Sequence, residues 1–540
     1  MSYLSRKRRR DIRRQKWQFL AVGVTVAIGV MTFAATYDAY RNLTTSYEQT
    51  YDRLAFADMT ITGGADDLAG TLTAIPGVDV VTVRRSADVP ITIGSKTLRG
   101  RLVGMPVPNQ PDVNKIDVGE GTYLTTSGRR DSVAEIHIAK TFNLRADDTF
   151  TVAVGSGIEF AIIGTAASPE YLWPAASTQE VFVDPEQFGV FFIDDDLLAQ
   201  VPPEVAVTET LVLYDDGVDI EALDAAVHKA ATAAGATSIL TQADHPSNSS
   251  LQLDVSGFQQ MSIAFPLLFL TAAGMALYVL LTRTVFAQRA IIGTLRASGM
   301  SPDSLKRHYL GFGLWVGSIA SLVGAALGAA LGAALTSAYT SALSIPDTVV
   351  ELRPLTIVAG VLFGVVAGAL ASMIPARSAS VIAPAEAMRG EAPMMSGGKS
   401  TLEKVIPPLS RLPVRKRMTL RGIGRAKRRS LSTVLGVVLA LVLILASGLM
   451  VDSMINVVNE WFDDISLQDA NVVASKPVSD GLVSDIEAIP GVLQAERVAS
   501  LGASITNDGE TFATSLQGFE QGTVMHGWTN PSGELPAFGL

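Results

Sequence analysis

Five apolar stretches constrain this chain more than any other feature in it. Residues 17–37, 262–281, 309–335, 355–374 and 431–452 are each at least as long as the roughly 20 residues that a helix needs to cross a bilayer. With 48% hydrophobic and only 17% charged residues, the 540-residue chain is too apolar for an ordinary soluble protein. The first stretch follows a basic segment, as the core of a signal peptide would. Its apolar run is longer than such a core, and FAATYDAY is a poor cleavage sequence, so it reads as a retained helix.

Charge orients these helices. The net charge of −10 hides an asymmetry, because SRKRRRDIRRQK and VRKRMTLRGIGRAKRR are strongly basic while residues 45–255 are rich in Asp and Glu. Positive charge marks the cytoplasmic side. Residues 1–16 then lie inside and 38–261 outside. Arg283, Arg289, Arg296, Lys306 and Arg307 fall inside, the connection SIPDTVVELRP outside, and the basic linker 390–430 inside again. The predicted protein is multi-pass in a bacterial cytoplasmic membrane, with a cytoplasmic N-terminus. The absence of cysteine excludes a disulfide framework and thiolate chemistry. Gly324, Gly328 and Gly332 recur every four residues, as do Gly360, Gly364 and Gly368, a spacing that lets helices approach closely in lipid, for static packing or for gating.

Residues 38–261 read as an α+β domain. TSYEQTYDRL continues the first helix outward, and LAGTLTAI and IEALDAAVHKAATAA are amphipathic helices. DMTITG, VDVVTVRR, VPITIG, TLRGRLVGM, VAEIHIA, TFTVAVG, IEFAIIGTA, EVFVD and TLVLYDD are strand candidates bounded by Gly, Pro and Asp. The pentapeptide AIPGV occurs at 74–78 and again at 488–492, each time after a basic segment and an apolar helix. Ile91 then corresponds to Ile505, and Gly104 to Gly518. The chain therefore reads as a tandem duplication, with residues 453–540 as the start of a second, incomplete outer domain.

Several chemical signals are weak. GGKS at 397–400 ends like a phosphate-binding P-loop, but Pro393 stands where the first glycine belongs and no strand precedes it, so no nucleotide is expected on this chain. The histidines, His137, His228, His245, His308 and His526, form no metal-ligand spacing, so neither a metal nor a catalytic group is expected. DHPSNSS reads as a polar loop, and FFIDDDLLAQ as a solvated turn or helix start. The basic segment before the fifth helix suits membrane lipid headgroups better than nucleic acid.

Two cytoplasmic stretches carry a family resemblance. FAQRAIIGTLRASGMSPDSLKRHYL resembles the coupling helix of FtsX-like, MacB-type ABC transporter permeases through Gln288, Arg289, Ile291, Leu295, Arg296, Ala297 and Gly299, with Ala290 where the family usually carries a carboxylate. IPARSASVIAPAEAMRG is similar to the segment that follows the family's last helix, through Pro375, Arg377, Pro384, Glu386 and Arg389. The stretch from VGEGTYLTT to SPEYLW resembles the family's extracytoplasmic core domain. The resemblance implies a polytopic α-helical membrane protein with α+β extracytoplasmic domains, and a permease domain over 262–389 with its coupling helix at 284–305. It further implies an ABC ATPase dimer in trans that holds ATP and Mg. A second permease copy or an extracytoplasmic partner are further candidates. The output would be export, lipid or lipoprotein extraction, or mechanical signalling to an outer enzyme such as a cell-wall hydrolase. Read from the residues alone, Ile291, Ile292, Leu295 and Ser298–Gly299 share a helical face suited to a partner's groove, while Arg289, Arg296 and Lys306 present positive charge. A membrane-anchored sensor without an ATPase is the reading from another class.

Overall fold

Long apolar stretches become long helices, and the alternating stretches between them become one sheet. The computed structural model describes residues 3–153, 157–175, 185–201, 205–385, 413, 427–472, 478–507 and 510–527. In chain order the first elements are α1 (Tyr3–Arg14), α2 (Lys16–Leu54), β1 (Met59–Gly63), α3 (Leu68–Thr73), β2 (Val78–Ile93) and β3 (Lys96–Met105). There follow β4 (Asp117–Gly121), β5 (Asp131–Glu135), α4 (Ile136–Phe142), β6 (Thr149–Val152), β7 (Ile158–Ala167), β8 (Phe188–Asp194) and α5 (Asp195–Leu198). Next come β9 (Ala206–Tyr214), α6 (Ile220–Ala233), β10 (Ala236–Thr241), α7 (Pro246–Ala287), α8 (Arg289–Ala297), α9 (Pro302–Ala342) and α10 (Pro354–Val381). The last are α11 (Lys427–Asn459), α12 (Asp480–Glu487), β11 (Val498–Asn507) and β12 (Glu510–Phe519).

The described residues divide into a helical unit, within Met1–Asn42, Ser256–Thr336 and Val350–Ile455, and a sheet unit, within Leu43–Val255, Ser337–Val349 and Asn456–Leu540. Among the described residues α2, α7, α9 and α10 are long and apolar enough to cross a membrane. The fifth predicted span lies within α11, many of whose side chains fall outside the described residues. The GGKS tetrapeptide, Glu386, Arg389 and nearly all of the linker 390–430 fall outside them too.

In the sheet unit ten strands run in the order β10-β1-β9-β2-β3-β8-β5-β7-β4, with β6 pairing both β2 and β7. Strand β2 changes partner along its length. Val78–Ala87 pair with β9, and Ser86–Ile93 pair with β3. It therefore belongs to two cores. On one, α3 and α6 bury Leu68, Leu72, Leu223 and Val227 against Ile61 and Val212. On the other, Ile91, Leu98, Ile138 and Ile162 surround a phenylalanine stack, with the Phe150 and Phe191 centroids 3.9 Å apart.

Two predicted elements are corrected and a third is divided. VDVVTVRR and VPITIG are one strand that runs through Pro90, not two. VAEIHIA is half strand and half helix, because the Glu135 carboxylate accepts from the His137 amide at 2.8 Å and starts α4. FFIDDDLLAQ holds the helix start that is one of its two readings, and no solvated turn. Its first residues close the fully buried strand β8, and Asp194 caps the helical turn α5 that follows. EVFVD lies outside the described residues.

The two AIPGV segments occupy like positions. Each follows a short helix, α3 or α12, and each places its glycine in left-handed backbone, Gly77 at φ 98° and Gly491 at φ 103°. Each precedes a hairpin of the same register: Ser86 pairs with Val103 and Ile93 with Lys96 in the first, Ser500 with Gln517 and Asn507 with Glu510 in the second.

Candidate coupling site

Within the helical unit, α7 ends at Ala287 and Gln288 turns the chain into α8. The Gln288 side chain is held on three sides. Its Oε1 accepts from Lys7 Nζ at 2.6 Å and from the Tyr309 hydroxyl at 3.0 Å, and its Nε2 donates to Asp11 Oδ2 at 3.1 Å. Lys7 and Asp11 are themselves paired at 2.5 Å and buried. The other end of α8 is also fixed. Gly299 at φ 91° lets its own N–H bond Arg296 O at 3.1 Å while the Met300 N–H bonds Leu295 O at 3.0 Å, a double closure that stops the helix. The predicted coupling helix at 284–305 is thus three elements: the end of α7, the nine-residue α8 and the start of α9.

The faces of α8 differ from the sequence reading. Ile292 is 1% exposed and lies in a core with Leu281, Val285, Leu305, Phe312, Ala376 and Ala379, against which Leu295 packs. Ile291 is 49% exposed, on a face shared with Ala290, Thr294, Ala297 and Ser298. Adjacent isoleucines lie about 100° apart on a helix, so they cannot both face one groove. The arginines also change role. Arg289 and Arg296 are half-buried, and Arg296 Nη1 turns back to the Met300 carbonyl at 3.4 Å, while Arg283, Lys306 and Arg307 are exposed.

The second motif meets the first in that core. Pro375 is buried inside α10, and Ala376 and Ala379 pack in the cluster that holds Ile292; Arg377 is exposed and Pro384 half-buried. The glycines place the helices around this core. A Cβ at Gly324 would lie 2.5 Å from Ala27 O, at Gly328 2.7 Å from Met31 O, and at Gly332 3.1 Å from Ala35 O. These steps ascend together, so α2 and α9 run parallel with backbones in contact. On α10, a Cβ at Gly368 would meet Gly313 O at 2.5 Å and one at Gly360 would meet Val30 at 3.2 Å. Gly364 lies against Ser321 and Val30, so α10 runs antiparallel to α9.

Within the sheet unit, residues 343–347 are clasped in a way the sequence gives no signal for. The His137 ring faces two acceptors, Glu135 Oε1 at 2.7 Å from Nδ1 and Leu343 O at 3.1 Å from Nε2. Lys140 Nζ bonds Ser344 Oγ at 2.6 Å, and Arg53 joins Asp117 at 3.1 Å to Asp347 at 2.9 Å. Burial works against a charged His137. Glu135 and then Leu343 O outweigh it, with Lys140 opposing, and the pKa rises above the usual 6.5. A raised folded pKa contributes stability fully below the unfolded value and loses it as pH rises through the folded one. The clasp is therefore expected to be firmest below pH 6.5 and to loosen by about 1 kcal/mol above the raised value. Hydrogen exchange over residues 343–349 at several pH values checks this, and His137→Gln should remove the dependence. Among the described residues no three of His, Cys, Asp and Glu lie together to hold a metal.

Residues 263–384 match the FtsX-like permease C-terminal family, a stretch that contains α8 and Pro375 to Pro384. No curated protein matches the sequence. Among solved structures, the periplasmic region of MacB from Actinobacillus actinomycetemcomitans is similar at 14% identity and TM-score 0.24, over 38% of this chain and 95% of that one. The extracellular domain of the noncanonic ABC-type transporter YknZ from Gram-positive bacteria is similar at 14% identity and TM-score 0.21, over 30% of this chain and 79% of that one.

Proposed function

We propose that this chain, which matches the FtsX-like permease C-terminal family over residues 263–384, is the membrane subunit of an ABC transporter whose ATP and Mg are held by a separate ATPase dimer. One observation carries the reading toward coupling. The face of α8 that bears Ile291 is exposed, while its buried face and both ends are fixed by Ile292, Gln288 and Gly299. A short helix so braced passes a push from a partner into α7, α9 and α10 without yielding itself. The N-terminus would be cytoplasmic, on the side of α8 and of the basic residues Lys306 and Arg307. The parallel course of α2 and α9 supports this, because both would then leave the cytoplasm in the same direction. The equal register of the two hairpins supports the tandem duplication. Continuous helices of 39, 42 and 41 residues, α2, α7 and α9, contribute residues to both units and suit a mechanical output.

ATP can bias two arrangements of these helices only by binding one of them better. The test is co-purification from detergent-solubilised native membranes, with ATP hydrolysis assayed in the eluate. Ile291→Glu places a charge at the centre of the exposed face and should lower the recovered ATPase by about ten-fold, as loss of one anchoring contact does. Folding should be untouched, because that side chain supports no core. An unmodified chain that recovers no ATPase would instead favour the membrane-anchored sensor.

A further inference from the structure

Helix α1 divides sharply into two faces. Arg6, Arg9, Arg10, Arg13 and Arg14, at the i, i+3, i+4, i+7 and i+8 positions of one side, are all exposed. Lys7, Asp11 and Ile12 are buried on the other side. The helix's one acidic residue, Asp11, is turned inward to Lys7 and Gln288. Among the described residues no carboxylate pairs with the five outward arginines. Their place in the chain says what neutralises them. Two residues after Arg14, α2 begins with Lys16 and Trp17. Trp17 is 72% exposed and continues as an exposed apolar stripe through Leu20 and Val24. An exposed tryptophan at the end of such a stripe marks the headgroup level of a bilayer.

We infer that the arginine face of α1 binds the phosphates of anionic phospholipid headgroups, and that α1 so anchored braces the start of α8 through Lys7, Asp11 and Gln288. The geometry favours lipid over a protein partner, because the face adjoins the exposed apolar stripe of α2. The inference rests on the membrane placement of α2 and not on the ATPase, and its test contains no ATPase.

The test is hydrogen exchange over residues 3–14 of the full chain in nanodiscs of phosphatidylcholine alone or mixed with phosphatidylglycerol. Phosphatidylglycerol should slow exchange, and each Arg→Gln change on the face should weaken its effect by about five-fold. The combined variant Arg9→Gln, Arg10→Gln, Arg13→Gln should lose the effect while exchanging as the unmodified chain does in phosphatidylcholine. The Arg→Lys counterparts should keep it. Inorganic phosphate added to phosphatidylcholine discs should change nothing. Equal exchange in the two bilayers overturns the proposal, as does protection by free phosphate, which would mark a soluble-anion site.

Discussion

Arg84→Met is expected to destabilise the sheet unit by about 3–5 kcal/mol, the cost of leaving buried charge without its partner. Arg84 lies on β2 where that strand passes between its two cores, and is buried. Its Nη1 and Nη2 donate to the two oxygens of Glu170 at 2.7 and 2.5 Å, and its Nε donates to Glu209 at 2.8 Å. The other oxygen of Glu209 accepts from Ser86 at 2.5 Å. Removing the guanidinium strands two carboxylates at once. Burial works against the charge on Glu209, but Arg84, with help from Ser86 and Arg101, outweighs it and holds its pKa below the usual range. That depressed pKa contributes stability above the ordinary glutamate value of about 4.3 and loses it as pH falls through the folded value. In the variant the sign reverses. Uncompensated buried carboxylates prefer the proton, so the variant loses stability as pH rises, and the gap to the unmodified protein narrows in acid. Chemical denaturation of the solubilised chain, followed by hydrogen exchange over β2 and β9 at two pH values, measures both effects. Replacing Arg84, Glu170 and Glu209 together with Met, Leu and Leu should recover most of the loss, since apolar groups of similar volume replace such clusters at little cost. A loss under about 1 kcal/mol in Arg84→Met would show that water reaches the two carboxylates and that the triad is not buried charge in the energetic sense.

That network marks where reading from sequence ends. Arg84 meets residues 86 and 125 positions away, and nothing local in VDVVTVRR announces either partner. What was legible was periodic. The spans are continuous apolar runs, α3 and α6 have an apolar stripe, and β1, β3, β7 and β9 are bounded by turn residues. Strand β8 escaped because it is buried on both faces, parallel to β3 and antiparallel to β5, so it shows no alternation, and the three aspartates at its end read only as a turn or helix start. The join of β5 to α4 escaped because V-A-E-I-H-I-A alternates through both elements, and only the capping bond from Glu135 separates them. At α8 the motif located the helix, but which isoleucine faces outward depends on Phe312, Ala376 and Ala379, which come from other helices. The clasp on residues 343–347 combines one residue each from β4 and α2 with two from α4, a pattern without spacing. The glycine series was legible in position, since every-fourth spacing is itself the signal. Its partners were not.

Those partners make the second large effect. Gly328→Leu is expected to separate α2 from α9 and to cost about 3 kcal/mol or more, as overpacking against an unyielding neighbour does. A Cβ there would stand 2.7 Å from Met31 O and 2.6 Å from the Ala34 Cβ. Neither atom belongs to a flexible side-chain end, so relief requires the backbones to part. Parting them at Gly328 also unseats Gly324 from Ala27 and Gly332 from Ala35, because one straight contact carries all three steps. The loss should therefore exceed that from the same change at an isolated site. Gly274→Ala supplies the comparison: its Cβ would meet only Ala371 at 3.8 Å, an ordinary contact. There the better helix propensity of alanine should leave stability equal or slightly raised, whereas Gly328→Ala should already lower it. Thermal unfolding of the solubilised chain, with a cross-link between single cysteines placed on α2 and α9, reads stability and separation together. The chain has no cysteine of its own to interfere. If Gly328→Leu keeps both the transition temperature and the cross-link, the two helices are held by their other side chains and the ladder only permits their approach. If both are lost while Gly274→Ala is silent, the backbone contact itself fixes α2 to α9. Under the proposed coupling, a push at α8 would then move the two as one body.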